Sequence, residues 1–373
     1  GAVADATGPR KPWIAAFGVL LVLGSFGLWF GKPGDQSTIL FVLVCFAVLT
    51  IGMEFATVFN NAMMPTLVPQ NRIGWLSGLG WATGYLGGLV SLVVALLFLS
   101  TNPKTGLTLI GTPPAFGLDA AAREGDRFIG PLTAIWFVVF VLPMFLFVPD
   151  KAKALKLGPA FRRGFSTTLN TIREARKHKN IGTFLLANMV YADGLVALFA
   201  FGGIYAAGTF GWGAIQLGVF GILLTITGTL GALIGGRLDD KLGAKPVIIG
   251  SLAILIVSCV TILSMDRDRI FFFFPVAPAD PHSGLFASLP EKLYVAVGLL
   301  IGLAAGPLQA ASRALLVRLA PREQLAQFFG LFALSGKLTS FMGPFLVATV
   351  TAITLDQRAG VSVLIAFFLI GAL

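Results

Sequence analysis

Charge is scarce in this chain. Only 12% of its 373 residues are Asp, Glu, Lys or Arg, while 56% are hydrophobic, and the mean hydropathy is +0.87. A soluble protein of this length needs more charge to cover its surface. Histidine is rarer still: His178 and His282 are the two present, and the loop pattern puts them on opposite sides of a membrane, so no His-based metal site forms. Cys45 and Cys259 stand alone in different apolar runs, which implies buried thiols and no disulfide. No Walker motif is present, which argues against an ATP-driven pump. No Ser-His-Asp arrangement or repeated acidic motif points to an enzyme. The chain also lacks an initiating Met and a signal peptide. It opens inside a motif and closes on Val361–Leu373, a run of thirteen residues, so a fragment is expected.

What is abundant is apolar sequence in runs near the ~20 residues that cross a bilayer. Backbone polar groups in lipid must bond internally, so such runs are helices. Ten are visible: residues 13–30, 38–61, 74–100, 131–148, 181–210, 213–235, 247–265, 292–317, 328–353 and the C-terminal run. Alternating the loops places 17 basic residues on one side and 8 on the other. That bias makes the first side cytoplasmic. The net charge of +10 then reads as topology plus attraction to anionic lipid. The basic stretch Lys151–Lys179 reads as a solvated linker. Nucleic acid is not expected as a partner. Asp266-Arg267-Asp268-Arg269 reads as a solvated charge run at a membrane exit.

One short pattern occurs twice. The chain opens on Gly1-Ala2-Val3-Ala4-Asp5-Ala6-Thr7-Gly8-Pro9-Arg10-Lys11-Pro12, and it repeats the theme in Gly236-Arg237-Leu238-Asp239-Asp240-Lys241-Leu242-Gly243-Ala244-Lys245-Pro246. Each loop has a Gly four residues before an Asp, a second Gly three after it, and a basic residue two further on: Gly1, Asp5, Gly8 and Arg10, then Gly236, Asp240, Gly243 and Lys245. Gly8 and Gly243 suit a tight turn. Asp5 and Asp240 are placed to accept hydrogen bonds from the N-terminus of a neighbouring helix, or to pair with Arg10 or Lys245. A second correspondence aligns Pro69 with Pro321, and with it Asn61 with Arg313, Gly78 with Gly330 and Gly84 with Gly336. Both point to a parallel duplication of a membrane bundle.

These paired loops resemble the cytoplasmic signature of the major facilitator superfamily. Within it, the chain is similar to the vacuole-effluxer-like permeases through Gly78-Leu79-Gly80-Trp81-Ala82-Thr83-Gly84-Tyr85-Leu86-Gly87-Gly88, Tyr191-Ala192-Asp193-Gly194, Pro307-Leu308-Gln309-Ala310-Ala311-Ser312-Arg313, and Phe328-Phe329-Gly330-Leu331 through Ser335-Gly336-Lys337. The resemblance implies an all-α membrane protein with a two-bundle, six-plus-six-helix fold and two helices missing before Gly1. It implies an N-terminal bundle over 1–149, a cytoplasmic linker over 150–180 and a C-terminal bundle over 181–373. It also implies that the paired loops act as a cytoplasmic gate, and that fungal members export amino acids from the vacuole. The second loop departs from the pattern by an extra acid, Asp239, and the first has Ala6-Thr7 where a basic residue often stands.

Charges inside apolar runs are costly and usually functional. Four qualify: Glu54, Asp193, Arg313 and Lys337. Helical rise of ~1.5 Å per residue puts Asp193 and Lys337 both near mid-bilayer, as an ion pair or joined through substrate. Glu54 and Asp193 are candidates for proton coupling, with Na+ coupling or uniport equally open. Arg313 either snorkels to lipid phosphate or holds the inner gate. Asn60, Asn61, Tyr85 and Gln309 are further candidates for solute contact; Asn60, Asn61 and Gln309 serve equally to bond helices together. Gly80, Gly84 and Gly88 form one small-residue stripe for close helix packing, and Gly231 and Gly235 another. Gly343-Pro344 marks a bend.

The function expected is secondary active transport of a small solute by alternating access, with an amino acid as the solute that the resemblance implies. No cofactor beyond a coupling ion, H+ or Na+, is expected. The expected setting is a monomer among membrane lipids, in a bacterial inner membrane. A sugar:cation symporter is the alternative within transport. A receptor or lipid-handling protein without transport is the alternative outside it.

Overall fold

The computed structural model describes residues 1–150, 179–276 and 284–373. The linker residues 151–178, with His178, and the loop residue His282 lie outside them. The described chain is almost wholly helical. The helices are α1 (Ala2–Thr7), α2 (Lys11–Gly27), α3 (Ile39–Asn61), α4 (Met64–Leu67), α5 (Ile73–Val94), α6 (Glu124–Arg127), α7 (Ile129–Phe147), α8 (Lys179–Phe210), α9 (Ala214–Leu242), α10 (Ala244–Leu263), α11 (Leu289–Leu319), α12 (Leu325–Leu338), α13 (Met342–Thr354) and α14 (Gln357–Ala372). Two-residue strands, β1 (Arg269–Ile270) and β2 (Phe274–Pro275), pair antiparallel beyond α10. Among the described residues, nine helical segments are long and apolar enough to cross a membrane, and Gln357–Ala372 is a shorter apolar helix.

Local chemistry fixes several ends. Ser288 and Glu291 form a reciprocal cap at the start of α11, with Pro290 in its first turn. Asp356 accepts from the Arg358 amide at 2.8 Å to start α14. Asp35 accepts from the Ser37 amide and hydroxyl before α3, and those bonds hold its carboxyl below the usual range.

Two sequence expectations change here. The second paired loop is mostly helix: α9 runs on through Asp239, Asp240 and Lys241, and only Gly243, at φ 90°, separates it from α10. No Gly or Pro lies from Arg237 to Leu242; the chain breaks where a glycine permits positive φ. Gly8, at φ 94°, does the same between α1 and α2. The ninth apolar run is not one helix. It stops at Leu338 and restarts at Met342, with the Ser340 hydroxyl on the Lys337 carbonyl and the Met342 amide on the Thr339 carbonyl at 2.7 Å.

The described residues form two compact units. The first comprises 1–67, 87–150 and 321–330; the second comprises 68–86, 179–276, 284–320 and 331–373. In the first, α2 packs on α3 and α7. In the second, α11 packs on α9 and α10, and α14 packs on α8, α10 and α13. The start of α5 groups with the later helices, and the start of α12 with the earlier ones.

The glycine stripes also sort differently from expectation. Gly231 and Gly235 do sit against α11, at Leu303 and Pro307. Gly84 and Gly88 have no described atom within 4 Å of where a side chain would begin, and Gly80 faces the Arg313 guanidinium. Close approach along α5 comes one turn earlier, where Gly74 and Gly78 meet Gly236 of α9.

Candidate functional site

The duplicated loops build two matching carboxylate caps. In the first unit, Asp5 accepts from the Ala326 amide at 3.2 Å and the Gln327 amide at 2.9 Å, at the start of α12. In the second, Asp240 accepts from the Gly74 and Trp75 amides, both at 2.8 Å, at the start of α5. The amides correspond through the Pro69–Pro321 alignment: each Pro is followed by one 3-10 turn and then by the capped helix. Orphan amides at a helix N-terminus and the positive end of its dipole both favour a carboxylate there. The glycine four residues earlier has a reason too. A Cβ on Gly1 would lie 2.6 Å from the Ala326 carbonyl, and one on Gly236 would lie 2.7 Å from the Gly74 carbonyl. Each Gly lets its helix come close enough for the following Asp to reach.

The basic partners differ between the copies. Arg10 pairs with Asp5, and its guanidinium also bonds the Ala4 carbonyl; both side chains of the pair are 3% exposed. Burial raises the Asp5 carboxyl above its ordinary range, against the pull of Arg10 and the two amides. In the second copy, Lys245 is exposed and makes no ion pair among the described residues. Arg318, from the end of α11, takes that place instead. It pairs with the fully buried side chain of Asp239 and lies 3.3 Å from Asp240. Lys245 sits on the first turn of α10, beyond the Gly243 turn, while Asp239 points back toward α11. Asp150 is a further acid that sequence reasoning missed. It accepts from the Arg10 and Lys11 amides at 2.8–2.9 Å and so caps α2.

A polar cluster lies along α5, α8 and α11 in the second unit. Tyr85 donates to Gln309 at 2.6 Å. Arg313 binds Ser77 twice, through Nε to Oγ at 2.9 Å and through a terminal nitrogen to the carbonyl at 2.6 Å. Its guanidinium lies 5.9 Å from the Trp81 ring centroid. Arg313 is therefore held on α5. Tyr191 and Ser312 share a hydrogen bond of 2.7 Å. Ser77 was not singled out in the sequence, and Tyr191 and Ser312 stood there only within the family-like stretches, because a lone hydroxyl on an apolar helix carries no signal of its partner.

Beside the cluster is a cavity of about 720 Å³, bounded by Tyr85, Tyr294 and side chains such as Leu198, Phe220, Leu224 and Ile301. The Tyr294 hydroxyl is already committed to the Gly202 carbonyl at 2.7 Å, so the wall is overwhelmingly apolar. The first unit has its own cavity of about 440 Å³, where Asn60, Thr57 and Thr133 are the polar groups among Ile14, Trp136 and Phe140. Glu54 and the buried Asn61 lie on the same α3.

Asp193 is 2% exposed on α8. The expected direct pair with Lys337 does not form: among the described residues Asp193 makes no ion pair. Lys337 is exposed one residue before the end of α12, and the chain breaks between it and the α13 turn that faces Asp193.

The family model for "Vacuole effluxer Atg22 like" proteins matches residues 1–373. An uncharacterized MFS-type transporter of Bacillus subtilis, YxiO, is 23% identical over 371 residues, covering 100% of this chain and 78% of that protein. Autophagy-related protein 22 of Yarrowia lipolytica is 25% identical over 309 residues, covering 76% of this chain and 46% of that protein. The chain thus spans about half the length of that fungal relative. Among solved structures, the human organic anion transporter MFSD10 superposes with a TM-score of 0.70 at 14% identity, over 100% of this chain and 78% of that one. The outward-facing major facilitator transporter FucP gives 0.65 at 13% identity, over 97% and 81%. Apolar helices, fold and family agree on an integral, multi-pass membrane protein with the major facilitator fold, and the chain belongs to the Atg22-like vacuole effluxer family.

Proposed function

We propose that this protein is a secondary transporter that carries a small organic solute, an amino acid or a molecule of that size, by alternating access. The observation that carries this reading is the second unit's cavity. It is large enough for such a solute, apolar along most of its wall, and lined by Tyr85, whose hydroxyl donates to Gln309 behind it. An apolar side chain would gain from leaving water there, while Tyr85 and Gln309 orient a polar group. A sugar would find few partners for its hydroxyls, and unpaired hydroxyls are penalised on burial. Asn60 and Asn61 of the first unit are our further candidates for solute contact, with Glu54 and Lys337 as candidates for charge recognition. The paired caps act as the cytoplasmic gate, each holding a helix start in one access state and releasing it in the other. We place the protein in a bacterial inner membrane, as a monomer, with 1–149 and 181–373 as its two sequence halves.

The test is solute counterflow in proteoliposomes. Apolar amino acids exchange, and Gln309→Ala and Tyr85→Phe slow the exchange without lowering the melting temperature to match. Exchange of sugars alone would replace this reading with a sugar symporter. Binding of a solute with no exchange would replace it with a receptor.

A further inference from the structure

Asp193 stands in a place where an ionised carboxylate is expensive. It is 2% exposed in the middle of α8, and its Oδ1 has no hydrogen-bond partner. The Thr339 hydroxyl faces it, outside hydrogen-bond geometry, so Thr339 Oγ1 is also buried and unpartnered. Thr339 lies in the break between α12 and α13. The first turn of α13 is pressed against α8 just there: a Cβ on Gly343 would be 2.5 Å from the Asp193 carbonyl. On the far side Gly194 abuts Phe367 and Phe368 of α14.

Among the described residues, no neighbouring element brings a countercharge. On α8 the other charged residue is Lys179, at its start, and α13 has none. On α14 it is Arg358, paired with Asp266 at 3.0 Å. On α11, Glu291 and Lys292 lie in the first turn, Arg313 is on Ser77, and Arg318 is on Asp239 and Asp240. The charges of α9 lie in its last turns, and Lys337 is exposed near the end of α12. An uncompensated buried carboxylate costs several kcal/mol, and a break in a membrane helix is tolerated where it is buried in protein or lines a polar cavity.

We propose that the Asp193 carboxylate and the Thr339 hydroxyl, facing each other at the α12–α13 break, form the loading site for a small monovalent cation, a proton or Na+, that is coupled to solute movement. The proposal rests on the transporter reading above. The cation neutralises the carboxylate without a protein countercharge, and the hydroxyl supplies a second oxygen or a proton relay. Because the first turn of α13 beyond the break packs directly on the Asp193 backbone, loading at Asp193 would bias how α13 seats on α8. That gives the site a means of reporting its occupancy to the rest of the helix pair.

The test uses the purified chain in lipid nanodiscs, melted with a thiol-reactive dye. One arm replaces choline with Na+ at constant ionic strength; the other varies pH in Na+-free buffer. Wild type gains melting temperature saturably in one arm, as a ligand of the folded state must. A Na+ response names sodium, and a response to acid alone names the proton. Asp193→Asn abolishes the response, and Thr339→Val shifts its midpoint by about threefold to tenfold, with Thr339→Ser restoring it. If Asp193→Asn does not fold, the Thr339 pair carries the test. A wild type silent in both arms, or an unchanged response in Asp193→Asn and in Thr339→Val, overturns the proposal. Solute counterflow in the same preparations separates the two readings: exchange that persists without a cation response keeps the transporter and removes the site.

Discussion

At the scale of single residues, the arginines that hold the buried aspartates matter more than the lysine that the loop spacing pointed to. Deleting one partner of a buried pair strands the other charge. Arg10→Ala leaves Asp5 without its guanidinium, and the expected loss is about 3–5 kcal/mol. Arg318→Ala strands Asp239 and should cost somewhat less, since Arg318 is a quarter exposed and water can reach the gap. Lys245→Ala should fall within about 0.5 kcal/mol of wild type. Melting temperatures of the three variants check the order, and a Lys245 variant as damaged as Arg318→Ala would sink the assignment. Asp5 adds a pH signature. Its carboxyl is raised in the folded protein, so the folded form binds that proton more tightly than the unfolded chain. The stability from this group is full below the ordinary Asp value of about 3.9 and is lost as pH rises through the raised value. Asp5→Asn should flatten the melting temperature against pH across that window. The sequence made Asp5, Gly8, Arg10, Asp240 and Gly243 legible because their spacing occurs twice. It hid Arg318, whose partner Asp239 is 79 residues away; proximity along the chain pointed to Lys245 instead.

At the scale of elements, helix existence was legible and helix interruption was only partly so. Long apolar runs can only be helices in lipid, and the runs fall on the described helices, the ninth on two of them. The extent of α9 was misread because three charges in a row looked like a loop, although no Gly or Pro lies from Arg237 to Leu242 and packing outweighs the modest propensity cost of two Asp. The bend flagged at Gly343-Pro344 is a full break a few residues earlier, where Ser340 turns back onto Lys337. Glycine positions were read by spacing, yet contact depends on which face meets a neighbour. That difference is testable. Gly236→Ala would press a methyl onto the Gly74 backbone, which cannot swing away, and should cost about 1–3 kcal/mol. Gly84→Ala meets open space and should be neutral or stabilise by roughly 0.5–1 kcal/mol through helix propensity. Melting the two variants side by side decides between packing and spacing, and equal losses would contradict the geometry.

At the scale of the whole molecule, the duplication was visible but its crossing was not. Each loop caps the helix that belongs to the other sequence copy, so the compact units trade the starts of α5 and α12. No pairwise reading of similar segments reveals an exchange, because both arrangements satisfy the same alignment. The two cysteines offer a global readout. Cys45 and Cys259 are free and buried, so a membrane-permeant maleimide should label the folded protein slowly and label it fully when it melts; rapid labelling of the intact protein would contradict their burial. The crossed caps also set an order of assembly on the ribosome. Asp240 emerges 166 residues after Gly74 and finds its amide already made. Asp5 must wait for Gln327, 322 residues downstream, which at cellular elongation rates is roughly 15–60 s. Until α12 emerges Asp5 has Arg10 but not its two amide donors, and nascent chains stalled before α12 should be the ones that quality-control proteases remove.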